Sequence, residues 1–276
     1  MTDPFLEETM PTLINTSLWM LFAFAGLISF LLFGLAWVVS EKIKNAGLVD
    51  VVWALSFSVF AGFYFLRLNA QGLRAWLLLA IVFVWSLRLA SYLLIRFLKH
   101  VDVEDKRYDK MRQTWKPQRA LKFFFMFQFQ ALLAWLLSLP FLFFFLYPKD
   151  HFGYAEILGL ALWAVGLMGE SAADNQLAQF KDNPKNKGKT CDVGLWNYSR
   201  HPNYFFEWVI WVAYGVICYG SSNTVFGFAS CALILFLFLK VSGVPLAEEQ
   251  SLKSRGDEYR RYQAKTSAFV PWFKKK

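Results

Sequence analysis

The sequence predicts an all-α, polytopic membrane protein with seven transmembrane helices, its N-terminus outside and its C-terminus in the cytosol. Three observations carry this. Hydrophobic residues make up 57% of the 276 residues and charged residues 18%, against about 45–50% and about 25% in a soluble domain. The apolar residues gather into seven runs, each near the roughly 20 residues that cross a bilayer. Basic residues alternate between rich and poor from one inter-run segment to the next, which is the pattern that sets orientation.

The runs follow in order. Residues 1–16 hold no Lys or Arg, and Asp3, Glu7 and Glu8 stand where a signal peptide would carry its basic region. This stretch reads as an extracytoplasmic segment and not as a cleavable leader. The first span is 17–39. The second, 47–66, carries Asp50, and the third, 75–97, carries Arg88. The fourth, 123–146, contains Pro140, which is tolerable where neighbouring helices satisfy the freed backbone groups. The fifth is 154–177. The sixth, 204–219, is short and opens on a polar motif. The seventh is 224–244.

Twenty-three of the 29 Lys and Arg fall on one side, in the segment around Lys42 and Lys44, in 98–122, in 178–203 and in the tail after Pro245. Arg67, Arg74 and Lys149 fall on the other. The net charge of +9 thus reports topology and calls for no nucleic-acid partner. Cys218 and Cys231 lie in apolar runs, and Cys191 has no C-x-x-C or His companion, so neither a metal site nor a disulfide framework is expected.

Ionisable residues at membrane depth are costly and mark pairs, cavities or active groups. Here they share one depth. Asp50 lies one turn inside the second span. Arg88 and Tyr92 are four apart on one face of the third. Glu170 and Asp174 close the fifth, and Arg200-His201-Pro202-Asn203-Tyr204, then Glu207, opens the sixth. This coincidence predicts a polar, cytosol-facing cavity. Simpler readings stand beside it: Glu170 and Asp174 as an exposed helix end, Arg88 and Asp50 as a structural pair, Trp85 and Tyr92 as interfacial anchors. Pro202 suits the first turn of a helix, which places Arg200 at a helix N-terminus, where anions are favoured. Asn203 and Glu207 share a face and suit amides, hydroxyls or an adenine edge. Lys181, Lys185, Lys187 and Lys189 read equally as a solvated loop. No G-x-G-x-x-G is present, so a Rossmann site is excluded.

Six blocks carry a resemblance. They are N-A-G-L-V-D-V-V-W (45–53), D-K-R-Y (105–108), E-S-A-A-D-N-Q-L-A-Q-F-K (170–181), G-L-W-N-Y-S-R-H-P-N-Y-F-F-E (194–207), V-S-G-V-P (241–245) and Y-R-R-Y-Q-A-K-T-S-A-F-V-P (259–271). In order and spacing they resemble the DUF1295 family, a branch of the steroid 5-alpha-reductase-like membrane enzymes. The resemblance implies NADPH as cofactor, held among the last helices and their cytosolic loop (147–245), with a lipophilic substrate entering from the bilayer among helices 1–4 (17–146). Residues 246–276 then form a cytosolic helix and basic tail. It also implies cofactor-side roles for Glu170, Asp174, Lys181, Arg200, His201, Asn203, Tyr204, Glu207, Tyr259 and Tyr262.

Two positions depart from the reductases. Their adjacent glutamine-glutamate pair in the second span is Val49-Asp50 here, and their third-span tyrosine aligns with Trp85, while Arg88 and Tyr92 keep their places. Asp50, Tyr92 and Arg88 become the catalytic candidates, with Tyr92 or Tyr64 as alternative proton donors. The rival expectation is an S-adenosylmethionine-dependent methyltransferase of the isoprenylcysteine carboxyl methyltransferase type, which shares the arginine-histidine-proline-x-tyrosine block. A bacterial inner membrane and an endoplasmic reticulum membrane fit the topology equally.

Overall fold

The computed structural model describes residues 4–99, 101–146, 152–219 and 224–274, and of residues 4–16 the backbone alone. The expected outer segments around Lys149 and after Tyr219, like residues 1–3, lie outside the described residues. All regular structure among the described residues is helical apart from one isolated bridge between Ser199 and Ser267. Six helical stretches are long and apolar enough to cross a membrane: Ser17–Ile43, Leu48–Arg67, Gly72–Lys99, Arg119–Leu146, Tyr154–Asp182 and Thr224–Arg255. The helix in the sixth expected position, α8 (Pro202–Ile217), has 16 residues and is shorter than these. The chain forms two compact units, Met1–His151 and Phe152–Lys276.

The first unit holds α1 (Pro4–Ile43), α2 (Leu48–Arg67), α3 (Gly72–Lys99), α4 (Lys106–Thr114), α5 (Arg119–Leu137) and α6 (Leu139–Leu146). Helix α1 begins at Pro4, so the segment before the first apolar run is largely helical too. Much of α1 keeps its apolar side chains on the outside, including Phe24, Leu31 and Leu35, as a lipid-facing helix does. Its other face packs on α5, where Phe22 stacks on Trp135 at 4.5 Å and Trp135 Nε1 donates to the Phe22 carbonyl at 2.8 Å.

Helix α2 buries Ala54, Phe57, Ala61 and Tyr64, a stripe with helical spacing. It packs on α3, whose buried residues include Leu78, Val82 and Trp85. Trp85 is fully buried beside Phe57, at 5.2 Å, so it is a core residue and not an interfacial anchor. Lipid tails are as apolar as these side chains, so packing and interhelical hydrogen bonds supply the attraction. Ser86 Oγ donates to the Ala54 carbonyl at 2.6 Å, and Ser58 Oγ donates to Ser86 Oγ at 2.8 Å.

The fourth expected span is broken at Ser138 into α5 and α6. Pro140 is the cause: it has no N–H, and its ring collides with the carbonyl four residues back. Ser138 Oγ donates to the Trp135 carbonyl at 2.6 Å and lies 3.0 Å from Tyr64 Oη, so the break is built into hydrogen bonds.

The second unit holds α7 (Tyr154–Asp182), α8, α9 (Thr224–Phe236), α10 (Val244–Arg255) and α11 (Asp257–Lys265). Helices α7 and α8 touch through glycines. A Cβ on Gly159 would stand 2.5 Å from Ile217, and one on Gly166 2.6 Å from Ile210. Between α9 and α10 the chain runs through a π-helical stretch, Leu237–Val241. Such stretches concentrate at functional sites.

Candidate functional site

The site is built from the polar end of α7 upward. Glu170 and Asp174 are buried, at 3% and 2% exposure, so they are not an exposed helix end. The chain after α7 folds back over this end. Leu195 N–H donates to Gln176 Oε1 at 2.8 Å, and Trp196 Nε1 donates to the Ala173 carbonyl at 2.9 Å. Gly194 makes the turn with φ 56°, and a Cβ there would lie 2.5 Å from Gln176, so only glycine fits.

That return delivers Ser199-Arg200-His201 to the start of α8, where Pro202 occupies the first turn. In the first turn of α8, Asn203 Nδ2 donates to Asp174 Oδ1 at 3.4 Å. Asn203 Oδ1 is buried with no hydrogen-bond partner among the described residues. Glu207, one turn further and 5% exposed, accepts from Trp211 Nε1 at 2.9 Å. Asp174 and Asn203 thus meet across α7 and α8, and the buried Glu170 and Glu207 each stand one turn away along their own helix.

Arg200 and His201 meet the C-terminal segment. Arg200 Nε donates to Glu248 Oε1 at 2.5 Å, and its Nη1 donates to the carbonyls of Gln263 and Thr266 at 2.9 and 2.7 Å. The guanidinium expected to meet phosphate is therefore largely engaged inside the chain, at the C-terminal end of α11. Glu248 Oε2 accepts from Gln263 Nε2 at 2.9 Å. His201 Nε2 lies 3.4 Å from Glu248 Oε1, and its ring stacks on Tyr204, which stacks on Phe238 of the π-helical stretch at 5.0 Å.

Tyr262 donates to the carbonyls of Trp196 and Ser199, and Tyr259 packs beside it at 5.8 Å. Burial, and after it the charge of Glu248, pushes the Tyr259 phenol up to about 12, and burial raises Tyr262 further. Both are neutral hydrogen-bonding phenols at physiological pH. Tyr262 is a support of the polypeptide turn, since its hydroxyl ends on backbone. Lys181 is exposed on the last turn of α7.

The other candidates belong to the first unit. Tyr108 Oη donates to Asp50 Oδ1 at 2.9 Å, Arg107 Nη2 donates to Asp50 Oδ2 at 3.3 Å, and Arg96 adds an ion pair at 3.7 Å. Burial raises the Tyr108 phenol and the Asp50 charge raises it again. Burial alone would lower Arg107, but Asp50 and Asp105 together with the other groups around it outweigh that and keep the guanidinium charged. Arg88 places its guanidinium 5.7 Å from the ring centroid of Tyr92. Tyr64 is buried against Ser138.

Sequence reasoning left out Arg96, Arg107 and Tyr108 as partners of Asp50, and Glu248 and Gln263 as partners of Arg200. The signal was present in part, because D-K-R-Y and the Tyr259–Pro271 block were already singled out. No group of three or more His, Cys, Asp or Glu able to hold a metal exists among the described residues. Cys191, Cys218 and Cys231 are buried and form no disulfide among the described residues.

The family described as "Protein of unknown function (DUF1295)" matches residues 36–266. An uncharacterized protein of Schizosaccharomyces pombe, C594.04c, is 26% identical over 269 residues, covering 89% of this chain and 78% of its own length. A probable O-methyltransferase of Ustilaginoidea virens, ustE, is 40% identical over 73 residues, 25% of each chain. No solved structure matches. With six of its helical stretches fit to cross a membrane and the family match running through most of them, this chain is a member of the DUF1295 family.

Proposed function

We propose that the protein is a membrane-embedded reductase that uses NADPH to reduce a carbon–carbon double bond conjugated to a carbonyl in a lipid-like, steroid-like or isoprenoid substrate drawn from the bilayer. On this reading it spans the membrane seven times, α8 included, with the C-terminus in the cytosol of a bacterial cell or on the cytosolic face of the endoplasmic reticulum. The skew of basic residues supports that orientation.

The buried group on α7 and α8 carries the proposal. Asn203 Oδ1 is a buried acceptor with no donor among the described residues, and leaving such a group unsatisfied costs about 1–3 kcal/mol. A carboxamide N–H or a ribose hydroxyl supplies the missing donor. Glu170, Asp174 and Glu207 add acceptors for further hydroxyls. The same acids disfavour phosphate beside them, so the phosphates fall to Lys181, Lys185, Lys187 and Lys189, whose backbone lies at the end of α7 and beyond it. The residues present therefore fit NADPH.

When bound, NADPH supplies the hydride. The chain has to stabilise the charge that grows on the carbonyl oxygen. Asp50 accepts from the Tyr108 phenol and Arg107 and pairs with Arg96, which is the role of an anchor. Tyr92, with Arg88 beside its ring, is then the proton donor, and Arg88 complements the developing charge. His201 and Tyr204 form a flat aromatic support with Phe238. Proximity and orientation, supplied by the helices, are the protein's main contribution in cofactor chemistry.

The similarity to a stretch of a probable O-methyltransferase favours a second reading, transfer of a methyl group from S-adenosylmethionine to a lipid or isoprenoid. Three buried acids also suit a sulfonium and an ammonium group. Thermal unfolding of the detergent-purified chain with NADPH, NADH and S-adenosylmethionine separates the two, since a ligand that binds the folded state raises the midpoint. NADPH is expected to raise it, and Asn203→Ala and Asp174→Asn to remove the rise. A response to S-adenosylmethionine alone would overturn the reductase reading.

A further inference from the structure

The C-terminal segment builds a second cationic site. A cavity of about 480 Å³ opens beside it, and its lining includes Arg200, Lys265, Thr266, Ser267, Trp272 and Phe273. Two cations and no carboxylate line it. Arg200 Nη2 and Lys265 Nζ make no hydrogen bond or ion pair among the described residues. Thr266 is 3% exposed, and its hydroxyl oxygen has no hydrogen-bond partner among the described residues. Arg200 Nη2, on the guanidinium whose Nε is bonded to Glu248, and Lys265 Nζ leave N–H donors suited to the oxygens of a phosphate.

The segment is held rigidly. Arg200 N–H donates to the Ser267 carbonyl at 2.8 Å, Ser199 Oγ donates to the Phe269 carbonyl at 2.7 Å, and Trp272 N–H donates to the Tyr198 carbonyl at 2.9 Å. Phe269 is buried against Phe205 and Trp208, yet three other apolar side chains of the segment stay exposed. Val270, Trp272 and Phe273 are 51%, 68% and 75% exposed. A tightly tied segment with bare aromatics next to cations has the composition of a membrane-interface belt. A soluble phosphate or nucleotide gives no reason to expose Val270, Trp272 and Phe273 together.

We infer that this cavity seats the phosphate of an anionic phospholipid, with Trp272 and Phe273 at the boundary between headgroup and acyl chains. The inference is independent of which cofactor the α7–α8 group binds. Its function is to dock the C-terminal segment, and through Arg200 the start of α8, against the membrane surface.

The test uses the full chain in a non-ionic detergent. Native mass spectrometry measures retention of phosphatidylglycerol and of phosphatidylcholine with the same acyl chains. At roughly fivefold per basic residue near a lipid surface, phosphatidylglycerol is expected to bind about tenfold or more tightly. Lys265→Glu, at an exposed position outside any ion pair among the described residues, should erase most of that preference, and Lys265→Arg should keep it. Trp272→Ser should weaken both lipids. Equal retention of the two lipids, or a preference untouched by Lys265→Glu, overturns the proposal. Displacement of phosphatidylglycerol by millimolar inorganic phosphate would assign the cavity to a soluble anion and overturn it too.

Discussion

Arg200 Nε and Glu248 Oε1 are 2.5 Å apart, and this single bond ties the start of α8 to the first turns of α10. Both side chains are largely buried, at 12% and 17% exposure. Removing one partner of such a pair leaves a stranded charge, at about 3 kcal/mol or more. Arg200→Ala should therefore lower the unfolding midpoint sharply. Arg200→Lys should recover little, because a lysine cannot reach Glu248 and two carbonyls from one planar fork. Thermal unfolding in detergent without ligand checks both.

Asp50 and Tyr92 should separate in their effects. If Asp50 is an anchor, Tyr108→Phe and Asp50→Asn both loosen α4 from α2. The bond to a charged acceptor is worth about 1.5–3 kcal/mol, so stability falls. Tyr92→Phe should leave stability near wild type and lower turnover with an enone substrate. Turnover kept in Tyr92→Phe and lost in Asp50→Asn would reverse the roles.

The α7–α8 contact allows a steric test. Overpacking a tight contact costs about 1–3 kcal/mol. Gly166→Ala should cost an amount of that order, because its Cβ meets Ile210 at 2.6 Å. Gly166→Leu should prevent folding. Val165→Leu, one residue away but 51% exposed, should be neutral. Monodispersity on size exclusion and the unfolding midpoint report the difference.

Asp105 gives a pH dependence. Burial would raise this carboxyl, but its hydrogen bond from Arg107 and the charge of Arg107 outweigh that and hold it below its ordinary range. A depressed carboxyl stabilises the fold above its unfolded pKa of about 3.9, and the stabilisation is lost as pH falls through the lower folded value. Asp105 also accepts from Arg107 N–H at 2.9 Å as the N-cap of α4. Asparagine keeps the cap and loses the charge. Asp105→Asn should be less stable than wild type at neutral pH, and the gap should close toward pH 3. A gap that is constant with pH would remove the charge from the account.

The residues of the candidate site were mostly legible as types and positions, and much less so as partners. Asp174 and Asn203 stood out because a polar pair at membrane depth is conspicuous in an apolar run, and they do meet across α7 and α8. Arg200 stood out for the same reason, but its readiness to bind phosphate was read from its place before a helix. The carbonyls that occupy it come from Gln263 and Thr266, more than 60 residues away. Asp50 was matched with Arg88 because both lie in neighbouring spans, whereas Arg107, 57 residues on, reaches it from α4. Trp85 read as an interfacial anchor from its depth and proved to be core, since depth says nothing about which way a helix face points.

Membrane class, the positions of the apolar runs and the blocks that hold the site follow from the chain itself, whereas Pro140 read as tolerable within one span and the structure broke the helix there. The first three depend on local quantities: hydropathy over about 20 residues and the order of charges along the chain. Which cation neutralises which acid, which carbonyls fill a guanidinium, and whether a glycine is a turn or a contact surface were decided by packing. Those are relations between residues distant in sequence, and they come into existence only when the helices close on each other.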